Sequence, residues 1–315
     1  MSCYHHLTIA EREKLYTFLH LGYSLRKIAS FLGRSPSTIS RELKRNPDCL
    51  PCEAQSRYLQ RRKRCVRKPV LADPQLHADV HFWLGYMFWS PEQISNRLKH
   101  EGKHLISTAT IYRALDNGLL QDTLRYYLRF KYKTHGKSKK PVRKCFARSI
   151  EQRPDTANNR TEIGHWEGDT IVSRKSKTVI ATLVDRKSRY LTAGKVPSKE
   201  AAEVRQVVVR LLKQTKLPVK SVTFDQGTEF AESAAMEGDL SAPIFYSHPH
   251  SPWERPTNEN TNGLLRQFIP KHRDLGDVTD EDLSRIVSLM NLRPRKCINW
   301  LTPFEAFSQQ VLRLT

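Results

Sequence analysis

The sequence has 315 residues, with 53 lysines and arginines against 32 aspartates and glutamates, which gives a net charge of +21. This length is enough for two or three domains. No apolar stretch reaches the roughly 18 residues of a membrane span, and the start lacks the apolar core of a signal peptide. The sequence therefore predicts a cytoplasmic protein whose six cysteines are reduced thiols.

The positive charge is concentrated in the first half of the chain. Residues 1–160 hold 31 basic and 13 acidic side chains, whereas residues 161–315 hold 22 and 19. A strongly basic half is typical of a segment that binds a polyanion, and nucleic acid is favoured because neutralised phosphates release counterions. A membrane surface is the alternative, but no long basic amphipathic helix or lipidation signal supports it.

Residues 8–45 predict three short helices within a first domain at 1–50. Thr8 and Glu11 form a capping-box pattern, Ser24 follows a glycine turn, and Ser35 precedes a proline at the first helical position. Short polar and basic side chains on the third helix suit a major groove. The predicted DNA-contacting residues of this helix-turn-helix are Ser37, Thr38, Ser40, Arg41, Lys44 and Arg45. The alternative is a small helical bundle with a solvated face.

A second helix-turn-helix is predicted at 76–120. Ser90 and Ser107 each open a helix, and residues 107–118 match residues 35–46 at five of twelve positions. This weak repeat predicts DNA contacts from Thr108, Thr110 and Arg113. A module for packing between subunits is the alternative interpretation.

Two basic segments lie around this unit. Residues 57–68, in a connector at 51–75, contain seven lysines and arginines. This density favours a segment that binds the phosphates of a DNA backbone over a helix face that is only solvated. Residues 121–160 contain twelve lysines and arginines and five tyrosines and phenylalanines, which predicts a linker that lies on DNA. Tyr126 and Tyr127 could stack on bases there, although ordinary packing is the simpler role. Cys49, Cys52 and Cys65 lack an obvious fourth ligand for zinc.

From residue 161 to 315 the pattern becomes that of an α/β domain. Three successive strand-like runs, at 165–172, 177–185 and 189–196, precede a helix at 199–216 whose predicted buried side holds Ala202, Val208, Val209 and Leu212. A strand at 221–225, a helix at 228–238, a strand at 243–248 and a further helix follow. This order predicts a ribonuclease-H-like catalytic domain after an all-α helix-turn-helix region, within a multidomain chain.

Three acidic residues have the positions that a two-metal nuclease requires. Asp169 lies in the first strand, Asp225 ends the fourth, and Glu259 opens a helix, with 33 residues between the last two. Carboxylates about 4 Å apart repel one another by roughly 4 kcal/mol at an effective dielectric constant near 20. Such a cluster needs protons or divalent cations, and oxygen ligands favour Mg²⁺ or Mn²⁺. Nearby acids compete for these roles, and strand periodicity cannot separate Glu167 from Asp169; the others are Asp185, Glu229 and Glu254.

The helix that carries Glu259 is predicted to be capped by Thr257 or Asn258 and to run to about Phe268. Residues 262, 263 and 266 would share the face of Glu259, so that Arg266 could hold a phosphate or pair with a carboxylate. Lys271 adds a cation nearby. No G-x-S-x-G elbow indicates a serine hydrolase, and no phosphate-binding G-x-x-x-x-G-K-[ST] indicates ATP use.

These motifs together resemble the bacterial insertion-sequence DDE transposases of the family numbered thirty, over nearly the whole chain. The most specific runs are SPWERPTNENTNGLLRQFIPK (251–271) and NLRPRKCINWLTP (291–303). Residues 6–43, 89–98 with 107–115, 164–172, 184–190 and 225–230 also match. The sequence departs from the family at Gln226, Pro256 and Leu292, where asparagine, glycine and asparagine are usual.

The resemblance, not periodicity, singles out Asp169, Asp225 and Glu259 as catalytic and metal-binding residues. It implies two Mg²⁺ ions, with Mn²⁺ able to substitute, and no nucleotide cofactor. It also implies binding of terminal inverted repeats and target double-stranded DNA, strand cleavage and strand transfer, and a homodimer or higher homo-oligomer that pairs two ends in the bacterial cytoplasm at the nucleoid. A DNA-binding regulator with an inactive nuclease fold is the main alternative; a retroviral-type integrase or structure-selective nuclease is a weaker one.

Overall fold

The computed structural model describes residues 5–47, 50–65, 69–103, 106–120, 148–248 and 251–312. The chain divides into two compact units, Met1–Pro69 and Val70–Thr315. In the described ranges, no helix has the length and apolar character needed to cross a bilayer. The predictions for Cys49, Tyr126, Tyr127 and most of the linker at 121–160 lie outside the described residues.

The first unit contains four helices, and the first three match the predicted helix-turn-helix. They are α1 (Ile9–His20), α2 (Leu25–Leu32), α3 (Pro36–Arg45) and α4 (Pro51–Arg64). The capping box of Thr8 and Glu11 is present, and the side chains of Ser24 and Ser35 accept hydrogen bonds from the amides of their helices. Gly33 ends α2 at φ 62°, a left-handed angle that glycine adopts without strain. The small core is formed by Leu15, Ile28, Ala29 and Ile39.

The second unit opens with three helices in the region where the sequence predicts another helix-turn-helix. Its helices are α5 (Pro74–Gly85), α6 (Pro91–His100) and α7 (Thr108–Asp116). Ser90 and Gln93 form a capping box on α6, and Ser107 caps α7. The buried sides of α6 and α7 present Ile94, Leu98, Ile111 and Leu115 to one core.

Helix α6 packs on the C-terminal part of the same unit. Arg97 binds both carboxylate oxygens of Glu305 at 2.7 and 2.5 Å, and it also donates to the carbonyl of Trp300. Gln93 donates to the carbonyl of Pro294 at 2.8 Å. This helix-turn-helix is therefore fixed against the α/β domain through α6, whereas α7 keeps exposed side chains such as Arg113.

A five-stranded mixed sheet forms the centre of the second unit. A short helix α8 (Asp155–Asn158) precedes β1 (His165–Val172), β2 (Val179–Asp185) and β3 (Leu191–Val196). Then follow α9 (Ala201–Gln214), β4 (Ser221–Phe224), α10 (Ser233–Leu240) and β5 (Ile244–Tyr246). The spatial order is β3-β2-β1-β4-β5, with β1–β2 and β2–β3 antiparallel and β1–β4 and β4–β5 parallel.

Helices cover both faces of this sheet. Trp166, Val208, Phe224 and Phe307 belong to the core on the side of α9. On the other side, α11 (Pro256–Leu265) and α12 (Asp280–Asn291) pack through residues such as Leu265 and Met290, and α13 (Pro303–Val311) follows. Because side chains alternate along a strand, the odd-numbered residues of β1, including Glu167 and Asp169, face α11.

Three local predictions are wrong. Helix α11 begins at Pro256 with Arg255 as its N-cap, not with Thr257 or Asn258, and it ends at Leu265. No side chain of the N-cap residue binds the first amides of the helix. Instead, proline occupies the first position and Glu167 of β1 accepts the amide of Asn258. Ala202 is exposed, because the buried stripe of α9 consists of Val204, Val207, Val208, Leu211 and Leu212. The helix predicted at 228–238 is a short 3₁₀ turn at Thr228–Phe230 followed by α10.

Candidate active site

Asp169 and Asp225 are carried by two neighbouring parallel strands. The pairing of β1 with β4 ends at Glu167 opposite Thr223, so each aspartate lies two residues beyond the last pair, on the same face. On the opposite face, Gly168 leaves room for the ring of Phe224, because a Cβ there would lie 2.2 Å from the ring. The sheet thus holds the two aspartates at neighbouring positions on its face towards α11.

The N-cap of α11 and a side chain in its second half hold this acidic pair. Arg255 donates to the Gly168 carbonyl at 2.9 Å and to Asp225 Oδ2 at 3.2 Å. Asn262 donates from Nδ2 to Asp169 Oδ2 at 2.8 Å, and its Oδ1 accepts from Thr182. The contact from Asn262 agrees with the predicted face of the helix, whereas no pattern in the sequence indicates the role of Arg255.

The surroundings of Asp169 favour its neutral form. Burial, together with the charges of Asp225 and Glu229, raises the pKa of Asp169 to about 6, although Arg255 and the amide of Thr170 act in the opposite direction. When several carboxyl groups lie close together and are shielded from water, ionisation of one makes ionisation of the others less favourable. A cation between them would relieve this repulsion.

Glu229 is a buried acid that the sequence placed only among the competitors. Its Oε1 accepts from Thr170 Oγ1 and from Lys199 Nζ, each at 2.9 Å, while its Oε2 is buried without a hydrogen-bond partner among the described residues. A Cβ added at Gly227 would lie 2.6 Å from Glu229 Oε2 and 2.9 Å from Asp225 Oδ1. Glycine at 227 therefore leaves space beside two acidic oxygens, and the fixed spacing in DQGTEF is the signal that could have identified Glu229.

Glu259 lies on α11 one turn before Asn262, and its side chain is exposed. Across the described parts of the chain, no three His, Cys, Asp or Glu side chains form a group that could hold a metal ion. The structure therefore brings Asp169 and Asp225 together and places Glu259 on the helix above them, without closing the predicted cluster of three acids.

Glu167 has a different function from Asp169, although the two share a face. It is fully buried, pairs with Arg186, and accepts the amide of Asn258 at 2.9 Å. This carboxylate serves as the cap that α11 lacks, since negative charge is favourable at a helix N-terminus. Asp185 is the turn residue that the sequence suggested, because it accepts the amides of Gly164, Lys187 and Ser188.

The predicted DNA-contacting residues are mostly on the surface of their units. Ser37, Arg41, Lys44 and Arg45 of α3 are exposed, while Thr38 and Ser40 are half-buried; the Thr38 and Ser37 hydroxyls contact the cap Ser35. On α7, Arg113 is exposed, Thr108 and Thr110 are half-buried, and Thr110 contacts Ser107. Arg266 donates to the Val172 carbonyl at 2.9 Å, and Lys271 is exposed.

The donor set beside β1 and β4 fits a hard divalent cation. It consists of the carboxylate oxygens of the pair Asp169 and Asp225. The buried Oε2 of Glu229, which has no hydrogen-bond partner among the described residues, lies with Asp225 Oδ1 beside Gly227. Oxygen ligands of this kind suit Mg²⁺, Mn²⁺ or Ca²⁺. Two carboxylates at neighbouring strand positions, with a further acid on the helix that packs over this face, are the arrangement expected of a metal-dependent DDE polynucleotidyl transferase.

Comparisons with known proteins agree with this fold and site. Residues 3–46 match a helix-turn-helix domain family, and residues 159–252 match the integrase core domain. The transposase InsI for insertion sequence element IS30A of Escherichia coli (strain K12) is 37% identical, over 97% of this chain and 84% of that protein. The transposase for IS4351 of Bacteroides fragilis is 33% identical over 96% of both chains, and that for IS1086 of Cupriavidus metallidurans is 35% identical over 97% and 95%.

The chain belongs to the IS30 family of insertion-sequence transposases. It is a DNA-binding transposase with a helix-turn-helix region and a ribonuclease-H-like integrase core that depends on divalent metal. The predicted family, fold class and enzyme class are thereby confirmed. Among solved structures, the catalytic core domain of BIV integrase matches with a TM-score of 0.39 and 20% identity, over 48% of this chain and 97% of that chain, a likeness too weak to support an inference.

Proposed function

We propose that Asp169, Asp225 and Glu259 are the catalytic, metal-binding residues of this transposase. The placement of Asp169 and Asp225 at neighbouring strand positions, with Glu259 on the helix above, is the observation that supports this most strongly. The metal is Mg²⁺, as two ions, with Mn²⁺ able to substitute. When bound, such ions activate a water and stabilise the leaving oxygen of a phosphodiester.

The residues around the acids hold them ready for this chemistry. Asn262 and the amide of Thr170 orient Asp169, because each donates a hydrogen bond to one of its two oxygens. Each oxygen keeps a second lone pair with which it can bind a cation. Arg255 partly neutralises Asp225 and ties it to the backbone of β1. Helix α11 is fixed at its start by Glu167, and Asn262 anchors the face of the helix that also carries Glu259 to Asp169.

The helix-turn-helix region binds the terminal inverted repeats of the element, and the core then acts on the DNA. Cleavage of a strand frees a 3′-hydroxyl, which attacks a phosphodiester in the other end or in target DNA, with no covalent protein–DNA intermediate. A homodimer or larger assembly pairs the two ends in the cytoplasm, and no nucleotide cofactor takes part. The predicted domain limits, at residues 50, 75, 120 and 160, belong to this proposal.

Substitution of each acid in turn tests the catalytic assignment. Asp169→Asn, Asp225→Asn and Glu259→Gln should lower cleavage and strand transfer on labelled end DNA in Mg²⁺ by at least about 100-fold, the scale of losing one transition-state stabiliser. Band shifts should show end binding unchanged. Asp277→Asn and Glu281→Gln, which neutralise exposed acids, are the matched controls.

Full activity in Glu259→Gln, with end binding intact, would show that the third acid lies elsewhere. Binding of the ends by the unaltered protein without any metal-dependent cleavage would instead favour the regulator with an inactive nuclease fold.

A further inference from the structure

Arginine side chains line a cavity at the start of α11, away from the acidic pair. Its volume is about 180 Å³, several times the roughly 30 Å³ that one water occupies in the liquid. Arg160, Arg189 and Arg295 contribute the charge, and Thr257, Asn260 and Thr261 of α11 contribute the polar wall.

Arg160 and Arg189 form no ion pair with a carboxylate among the described residues. The charge of Glu167 acts on Arg160, but Glu167 is already bound to Arg186 and to the amide of Asn258. The Nε groups of Arg160 and Arg189 are buried and have no acceptor among the described residues. A buried donor without a partner costs about 1–3 kcal/mol, so the site is incomplete as it stands.

The charges also disfavour one another. Burial lowers the pKa of Arg160, and the neighbouring charges of Arg189 and Arg186 lower it further. Arginine nevertheless stays protonated in proteins, so the repulsion persists until an anion enters.

The backbone at the two arginines is strained in the same way. Arg160 has φ 56° and Arg189 has φ 66°, both in the left-handed region that non-glycine residues seldom adopt. Such strain costs on the order of 1–3 kcal/mol per residue and gathers at ligand sites. Glycine would remove the strain at either position, yet the sequence has arginine at both. Both arginines line the same cavity.

The chemistry of the wall selects a phosphate group. Guanidinium groups bind phosphate oxygens in pairs. Arg189 donates to the hydroxyl of Thr257, which holds this guanidinium against α11 at the wall of the cavity. Asn260 in the wall directly follows Glu259 on α11. The cavity therefore borders the turn of α11 that carries Glu259, and a DNA strand bound at the acids would reach it within a few nucleotides.

We propose that Arg160, Arg189 and Arg295 bind a backbone phosphate of the DNA strand held at the active site, a few nucleotides from the scissile bond. This inference rests on the proposed function in one respect, namely that the DNA strand passes the acids beside α11. The site fixes the register of the strand rather than taking part in bond cleavage.

The test uses end DNA in which one phosphate at a time near the cleavage position is replaced by a neutral methylphosphonate. For the unaltered protein, one or two positions should weaken binding about tenfold. For Arg160→Gln and Arg189→Gln, a methylphosphonate at the same positions should change the affinity for end DNA by less than twofold. Arg210→Gln, an exposed arginine on α9 at the opposite sheet face, should respond like the unaltered protein.

A second measurement checks folding and the source of the phosphate. Arg160→Gln should keep or raise the melting temperature, because Arg160 Nε has no partner to lose. Inorganic phosphate is then added to the unaltered protein. If it raises the melting temperature only at concentrations that also displace DNA, the cavity binds a phosphate of the DNA. If its effect on the melting temperature saturates at low concentration while DNA stays bound, the cavity binds a free ion and the proposal is overturned.

Equal responses of the unaltered protein and Arg160→Gln at every methylphosphonate position would also overturn it. The experiment is run on an Asp169→Asn background as well, where cleavage is absent by the proposed function. If that variant still cleaves, the catalytic assignment fails while the methylphosphonate comparison keeps its meaning.

Discussion

Two carboxylates separated by one residue on β1 have opposite electrostatic environments. Glu167 pairs with Arg186 and accepts a hydrogen bond from the backbone amide of Asn258. Asp169 instead lies near the charges of Asp225 and Glu229 and accepts a hydrogen bond from the side-chain amide of Asn262. The sequence could place both on one face, because strand side chains alternate. It could not say which one meets a cation, because Arg186 and α11 reach the strand only through tertiary folding.

Glu167→Gln should destabilise the second unit by about 3 kcal/mol, since removing one partner of a buried ion pair leaves the other charge uncompensated. Urea denaturation followed by tryptophan fluorescence measures the change. Asp277→Asn, on the exposed surface, should leave the transition where it is. A loss below about 1 kcal/mol for Glu167→Gln would mean that Glu167 is not the anchor of α11.

The raised pKa of Asp169 predicts a pH-dependent stability. The folded value of about 6 exceeds the ordinary value of 3.8, so folding favours the protonated carboxyl and loses stability as pH rises between these values. At 1.36 kcal/mol per unit, the loss reaches at most about 3 kcal/mol.

Asp169→Asn should therefore melt at a higher temperature than the unaltered protein at pH 8, in the absence of metal, and at nearly the same temperature at pH 4. Addition of Mg²⁺ at pH 8 should stabilise the unaltered protein and not the variant. A constant difference between the two proteins from pH 4 to pH 8 would contradict the buried-charge explanation.

At the scale of elements, the sequence predicts the strands better than their helical partners. β-branched runs and their order gave the five strands, because those patterns are local. The start of α11 was misplaced, since its cap comes from Glu167, 91 residues earlier in the chain. The packing of α6 on the C-terminal region was also beyond sequence reasoning, because Arg97 and Glu305 lie 208 residues apart.

Arg97→Ala should loosen α6 from the α/β domain, at a cost of about 1 kcal/mol for a half-buried ion pair. Hydrogen exchange of the amides in α6 and α7 should become faster while that of the sheet stays unchanged. Lys99→Ala, an exposed residue on the same helix, is the control. Uniformly faster exchange over the whole unit would mean that Arg97 supports the fold at large rather than this contact.

For the whole molecule, the uneven charge separates DNA binding from catalysis. The basic first half includes the exposed residues of α3, and the nearly neutral second half holds the acids. Composition revealed this division directly, since counterion release depends on the number of charges near DNA. Composition does not encode the path of the DNA, because that path depends on where the basic side chains lie in the folded protein.

Arg41→Ala should weaken binding of end DNA and reduce the slope of log affinity against log salt by about 1, the value for one phosphate contact. Titrations between 50 and 200 mM salt, roughly the range over which such effects are large, measure it. Lys213→Ala on α9 should leave the slope unchanged. An unchanged slope for Arg41→Ala would remove that residue from the interface.

The most direct measurement is a crystal structure of the protein with its end DNA and Mn²⁺, with the ions located by anomalous scattering. We expect two peaks about 3.5–4 Å apart, bound by Asp169, Asp225 and Glu259 next to a phosphodiester. Peaks bound by Asp169, Asp225 and Glu229, with Glu259 still turned to solvent, would contradict the proposed active site.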